Sequence, residues 1–148
     1  MLMPGVNKKL SINMFRGCSA LRKAIIETST LQSDEDYTFD GCLSLMNVSL
    51  KTYGTKIPAY CFRYCMSLSS YVIQETVTNI GASAFYCCIA LKQIVCLAET
   101  PPTLGSDAFY YDHNLSIYVP DESVDAYKAA TNWITYASRI PGRPRTAA

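Results

Sequence analysis

Apolar positions along this chain recur at a period far longer than any helix or strand turn. Phe15, Phe39, Phe62, Phe85 and Phe109 stand 24, 23, 23 and 24 residues apart and are the only phenylalanines. Six residues after each comes a leucine: Leu21, Leu45, Leu68, Leu91 and Leu115. Three residues after the first four comes a cysteine, Cys18, Cys42, Cys65 and Cys88, with Asp112 in the fifth copy. Five residues before lie Leu10, Ile57, Ile80 and Leu104, and Asp34 breaks that column in the second copy. A register that holds every phenylalanine is a repeat architecture.

Within each repeat the polar positions alternate with the apolar ones. Ala24 and Ile26, Val48 and Leu50, Tyr71 and Ile73, Ile94 and Cys96 are separated by single residues. That period of two predicts a strand with one buried face. In the last copy Ile117 and Val119 come one residue early, so the loop before them is one residue shorter. Val77-x-x-Ile80-Gly81 predicts a second short extended piece, and Ala82 to Cys87 a helical or 3₁₀ turn. One coil of this length cannot bury its own apolar face, so neighbours stack, phenylalanine on phenylalanine. Strands ~4.8 Å apart then form a parallel sheet along one side, and five coils make a stack roughly 20–25 Å long.

A stack must close its ends. Pro120 stops the last strand, and Asp121-Glu122-Ser123 opens a helix with acidic residues at its positive end, capped by Asp121 or Ser123. Val124, Tyr127 and Thr131 share a face and Trp133 follows, so this segment is expected to cover the fifth coil. The reading is one domain over 1–138, with repeats over about 10–120, a cap over 121–138 and a flexible tail over 139–148. The residues before Phe15 read as part of a coil. Either further coils preceded it or that coil pairs with another molecule, which makes self-association through the N-terminal coil an expectation to test.

Composition narrows the function classes. Of 148 residues, 49% are hydrophobic and 17% charged, enough to bury a core. The net charge of +1, from 13 basic and 12 acidic side chains, lacks the basic excess of a nucleic-acid binder. No apolar run is long enough to insert in a membrane. The first residues contain no apolar stretch and no small-residue cleavage site, so no secretion signal is read.

The stretch Val77-Thr-Asn-Ile-Gly-Ala-Ser-Ala-Phe-Tyr-Cys-Cys-Ile-Ala-Leu-Lys-Gln-Ile resembles the BspA-like leucine-rich repeat, also called the Treponema pallidum type. Pro101 to Phe109, Ile117 to Pro120 and Ser123 to Lys128 resemble the usual ending of such proteins in Bacteroides-type bacteria. The resemblance covers about residues 10–138. It implies a leucine-rich repeat solenoid of about five coils, built of short stacked parallel β-strands with turns or 3₁₀ pieces and closed by a C-terminal capping helix. It also implies a cell-surface or secreted adhesin-like module whose partner is a protein, from host matrix or a bacterial surface. The missing secretion signal and the irregular stretch Ser29 to Asp36 depart from the pattern.

The seven cysteines form no paired Cys-x-x-Cys set, and four of them hold one repeat column. They read as free thiols packed as small hydrophobes. His113, the only histidine, lies beside Asp112 and Asn114 with no partner that spacing identifies. No phosphate loop, His-x-x-x-His or EF-hand occurs, and Asp34-Glu35-Asp36 with Asp40 reads as a solvated loop before it reads as a cation site. No catalytic residue, metal or cofactor is assigned, and the chain is not expected to be an enzyme.

Two surfaces are candidates for a partner. Outward strand positions give Lys23, Ile25, Glu27, Asn47, Ser49, Lys51, Ser70, Val72, Gln74, Gln93, Val95, Leu97 and Tyr118, with Val72, Val95 and Leu97 as an apolar patch. The plainer reading is an ordinary β surface. The second surface is Tyr64, Tyr86, Tyr110 and Tyr111, one or two residues after a ladder phenylalanine. Exposed, contiguous rings would favour recognition, and buried rings a purely structural role. The leading function is thus a protein-interaction module. The alternatives are a structural or truncated piece of a longer array and, more weakly, glycan binding through the tyrosines.

Overall fold

A computed structural model describes residues 13–26, 37–50 and 55–141. The five phenylalanine rings form one stack, with neighbouring centroids 5.3, 5.4, 5.2 and 5.5 Å apart and planes within 18° of parallel. Four turns of a β-solenoid therefore separate the first ring from the last. Phe39, Phe62, Phe85 and Phe109 are buried, as are Leu45, Leu68, Leu91 and Leu115 and the column cysteines Cys42, Cys65 and Cys88. Leu10 and Asp34 lie outside the described residues.

The strands in chain order are β1 (Lys23–Ile26), β2 (Asn47–Leu50), β3 (Lys56–Ile57), β4 (Ser70–Ile73), β5 (Asn79–Ile80), β6 (Gln93–Cys96), β7 (Thr103–Leu104) and β8 (Ser116–Tyr118). All pair in parallel, one repeat apart. Ile94 faces Ile117 across the β6–β8 pair, so the shorter fifth loop keeps the core register. The second extended piece is real: β3, β5 and β7 form a narrow sheet of their own.

Two expectations need correction. The broad sheet is not continuous: β1–β2 form one piece and β4–β6–β8 another, with no ladder between β2 and β4. The two coils remain joined on the turn side, where Phe39 N–H donates to Cys61 O at 3.0 Å and Gly41 N–H to Arg63 O at 2.8 Å. The break falls at the bulkiest member of its column. Tyr71 stands where Ala24, Val48, Ile94 and Ile117 stand in other coils, and its ring packs 5.0 Å from Phe62 and 5.4 Å from Phe85. The segment Ala82 to Cys87 is also not 3₁₀. Ser83, Phe85 and Cys87 send their N–H groups to Ser106, Ala108 and Tyr110 of the next coil, and only the alternate residues bond locally. With half its donors committed between coils, the segment cannot wind into a helix.

The coils approach most closely at two glycines. A Cβ on Gly81 would lie 2.2 Å from the backbone nitrogen of Ala59, and one on Gly105 2.2 Å from that of Ala82. Backbone cannot yield as a side chain would, so Gly105→Ala should cost about 2–3 kcal/mol by denaturant melting. A loss under about 0.5 kcal/mol would mean that the coils separate freely there.

The C-terminal segment closes the stack with side chains that replace the backbone of an absent coil. Thr55 O and Thr78 O accept N–H groups from the following coil, and the equivalent Pro102 O accepts Trp133 Nε1–H at 2.7 Å. Ile57 O and Ile80 O accept Gly81 and Gly105 N–H, and the equivalent Leu104 O accepts Asn132 Nδ2–H at 2.7 Å. Phe85 N–H donates to Ala108 O, whereas Phe109 N–H donates to the Tyr136 hydroxyl at 3.3 Å. Tyr127 donates to Ala98 O, Ser123 to Glu99 O and Arg139 to Asp112 O. Edge groups that would otherwise be orphaned are thereby satisfied.

The helix itself is shorter than expected. A 3₁₀ turn at Asp121–Ser123 leads into α1 (Val124–Ala129), and Trp133–Arg139 is 3₁₀ again. The chain turns extended at Ala130, which takes Thr131 off the buried face and leaves it exposed. Pro120 takes the N-cap position of the 3₁₀ turn in place of Asp121, and Ser123 makes no side-chain cap to α1 because its hydroxyl is spent on Glu99. The packed part reaches Ile140, which is buried, two residues beyond the expected boundary at 138.

Candidate recognition surfaces

Left-handed backbone positions flank the phenylalanines, two residues before the ring in four coils and two residues after it in all five. Two residues before the ring they are Asn13, Tyr60, Ser83 and Asp107, with φ of 62°, 62°, 55° and 54°. Two residues after it stand Gly17, Gly41, Tyr64, Cys87 and Tyr111, with φ of 71°, 73°, 60°, 59° and 68°. Glycine takes this conformation freely, while a side-chain-bearing residue is strained by roughly 1–2 kcal/mol. The first two coils carry the unstrained residue; the later ones carry tyrosine and cysteine.

The strained tyrosines do not recover that cost by full burial. Tyr64 is 38% exposed and Tyr110 and Tyr111 are each 46% exposed, with Tyr86 half-buried among them. Their rings form one connected group. Tyr86 meets Tyr64 at 5.9 Å and Tyr111 at 5.8 Å, both edge-to-face, and lies nearly parallel to Tyr110 at 5.6 Å. Tyr110 and Tyr111 are 4.3 Å apart, and His113 follows Tyr111 at 6.0 Å. Mutual repulsion, first from Tyr111, raises the Tyr110 phenol above its ordinary pKa.

The ridge continues toward the N-terminal coils as a cation–aromatic ladder. Tyr37 and Tyr60 stack at 4.8 Å, and the Arg63 guanidinium lies 5.4, 5.1 and 5.3 Å from the rings of Tyr37, Tyr60 and Tyr64. Arg16 covers Tyr37 at 4.7 Å. Asp40 holds both cations, bonding Arg63 Nε at 2.9 Å and Arg16 Nε at 3.1 Å. Its hydrogen bond is the main reason the Arg63 pKa is raised. Asp40 is therefore a buried ion-pair centre and not part of a solvated acidic loop; Asp34, Glu35 and Asp36 lie outside the described residues.

A neighbouring column went unread in the sequence. Leu43, Met66 and Ile89, each four residues after a phenylalanine, are all exposed. Their signal was an apolar residue at one position in three consecutive copies. It was masked because the adjoining cysteine column is core.

On the strand side, Lys23, Asn47, Ser49, Ser70, Val72, Gln74 and Gln93 are exposed, and Ile25, Val95, Leu97 and Tyr118 partly so. Glu27 and Lys51 lie outside the described residues. Of the expected apolar patch only Val72 is fully outward; Leu97 N–H instead extends the ladder to Ile73 O at 3.0 Å. The break between β2 and β4 opens a groove of about 380 Å³, which Lys23, Ile25, Asn47, Ser49, Ser70 and Val72 help to line.

The cysteine column has its own bonding rule. Cys42, Cys65 and Cys88 donate S–H to the carbonyls of Phe15, Phe39 and Phe62, each one coil back, at 3.1, 3.2 and 3.1 Å. Burial pushes the Cys42 thiol up to about 11 and raises those of Cys65 and Cys88 as well. Such thiols stay protonated and are poor nucleophiles. None of the described cysteines forms a disulfide, and Cys18 is exposed at the N-terminal end. Among the described residues no group of three His, Cys, Asp or Glu side chains is placed to hold a metal ion.

The profile of the BspA type leucine rich repeat region matches residues 3–117, in six copies. The chain belongs to this family. The match begins before Phe15, so the leading residues count as repeat sequence, giving one copy more than there are phenylalanines. BspA-type repeats serve as protein-interaction modules, and the family is typically found at the cell surface or secreted. No curated protein matches the chain. Among the described residues no helix is long and apolar enough to cross a membrane.

Proposed function

We propose that this BspA-type solenoid is a non-catalytic, adhesin-like recognition module that binds a protein ligand on a matrix or cell surface through its tyrosine ridge. The observation that carries this reading is the backbone strain beneath exposed rings. Tyr64 and Tyr111 hold left-handed positions where Gly17 and Gly41 stand in the first coils, yet 38% and 46% of their surface stays exposed. Backbone strain kept beneath rings that are only partly covered supports a functional surface. Tyrosine also supplies rigid amphipathic contact area at low entropy cost.

The test is a binding screen of the whole chain against immobilised matrix proteins and a glycan array, repeated with Tyr64→Gly and Tyr111→Gly. Binding to a protein that falls about tenfold in either variant is expected, since interface tyrosines are frequent hot spots. Binding to sugars alone would move the ridge to the glycan class. A folded monomer that binds nothing would leave a structural piece of a longer array as the better description.

A further inference from the structure

We propose that the occupant of the ridge is a proline-rich segment in polyproline II conformation, lying along the solenoid axis with an acidic end over Arg63 and a basic end toward Asp107. The inference rests on the reading of the ridge as the binding surface and names the ligand class.

Backbone chemistry first removes the strand-like alternatives. The ridge N–H groups are already committed between coils: Tyr64 N–H donates to Tyr86 O at 2.9 Å and Cys87 N–H to Tyr110 O at 2.8 Å. An added β-strand needs free edge groups, and those of Tyr64 and Cys87 are spent. Recognition must come from side chains, which is how polyproline II ligands are held. Such a ligand keeps its carbonyls unpaired and presents flat rings, and four neighbouring phenols offer both ring faces and O–H donors.

The spacing also agrees. Tyr64 and Tyr111 occupy the same position in coils two apart, with Cys87 between them. Two coils at ~4.8 Å advance about 9.6 Å along the axis. A polyproline II helix repeats every three residues, or about 9.3 Å. Residues three apart on one edge of the ligand therefore meet equivalent tyrosines; the mismatch, ~0.3 Å at strand spacing and about 1.4 Å at the phenylalanine steps of 5.2 and 5.5 Å, lies within side-chain reach over the single period the ridge spans. The exposed column Leu43, Met66 and Ile89 runs parallel and widens the contact.

Charge sets the direction. Arg16 and Arg63 share the carboxylate of Asp40, which, among the described residues of this cluster, leaves one net positive charge at the Tyr64 end. At the other end exposed Asp107 lies near Tyr110, whose phenol it helps to raise. A polyproline II helix is nearly symmetric on reversal, so these end charges select its orientation.

The probe is a synthetic polyproline peptide in which one glutamate and one lysine flank three central prolines, about 12 Å apart, titrated into the full chain by fluorescence anisotropy. Controls are the peptide with both charges replaced by glutamine and a glycine-serine peptide of equal charge. The proposal expects the first peptide to bind and the glycine-serine peptide not to. Replacing both charges should weaken binding several-fold at low salt, and that difference should vanish near 0.5 M salt. Tyr64→Gly and Tyr111→Gly should each weaken binding about tenfold. Because each relieves a strained position, the melting temperature should stay level or rise, which separates lost contact from lost fold. If the screen of matrix proteins gives ridge-dependent binding but the proline peptide does not bind, the ligand class is overturned and the function stands. Ridge-dependent binding of sugars alone overturns the ligand class too. No ridge-dependent binding of any kind overturns both.

Discussion

Trp133→Ala is expected to lower stability by about 3–5 kcal/mol, the cost of emptying a buried indole site. Trp133 is fully buried, packs 6.0 Å from Phe109 and 4.9 Å from Tyr127, and is the plug on which the phenylalanine stack ends. The substitution also strips Pro102 O of its donor, and a buried orphan carbonyl adds about 1–3 kcal/mol. Trp133→Phe separates the two effects, keeping most of the volume and losing only the N–H. It should cost the smaller amount. Truncation after Pro120 removes Tyr127, Asn132, Trp133 and Tyr136 together and should yield aggregated protein, because Phe109 and the unpaired groups of the last coil become an open edge. Urea melts of the point variants and size-exclusion of the truncation check this. A soluble, cooperatively folding truncation would refute the capping role.

The stability of the wild-type chain should fall as pH rises from about 4 to about 8, by ~1.4 kcal/mol per pH unit for the one proton involved, and then level off. The group responsible is Asp112, the carboxyl that replaces cysteine in the fifth coil. It is 1% exposed and neither oxygen makes a hydrogen bond. Burial raises its pKa to about 8, only partly offset by the Cys88 backbone and the Arg139 guanidinium. Cys87 and Cys88 and the Tyr136 phenol also feel its charge. Because the folded pKa lies above the unfolded value of roughly 3.9, the stabilisation is whole below that value and is lost as pH climbs through the folded pKa. The column supplies the reason: three cysteines donate S–H to the phenylalanine carbonyl one coil back, which at this level is that of Phe85. A protonated Asp112 set as the cysteines are would donate there, whereas a carboxylate would only repel. Asp112→Cys should therefore flatten the profile and be the more stable protein at about pH 8. Parallel pH profiles for the two proteins would sink the assignment.

Much of this architecture is legible in the chain because every coil repeats one burial pattern. The Phe39-to-Phe109 columns, the one-residue-short fifth loop at Ile117 and the closing role of Trp133 each follow from which positions are apolar, five times over. What escapes is whatever differs between neighbours. Asp40 looks like a loop acid until stacking places it between Arg16 and Arg63, each a repeat away. Tyr71 fits its column as an apolar residue, yet the sheet breaks at its strand. Leu43, Met66 and Ile89 repeat as faithfully as the core does, and periodicity carries no sign for inside or outside at a turn.

The sequence by itself determined the register, the phenylalanine stack, the thiol column and the need for a cap, since a 23-residue period in hydrophobicity can be satisfied only by stacking like on like. Only the tertiary structure decided which cap side chains stand in for the missing coil, that the Asp112 carboxyl oxygens accept no hydrogen bond, and that Tyr64 and Tyr111 are strained and exposed together. Those facts depend on hydrogen-bond geometry and backbone handedness between unlike residues, which a pattern of apolar and polar letters does not encode.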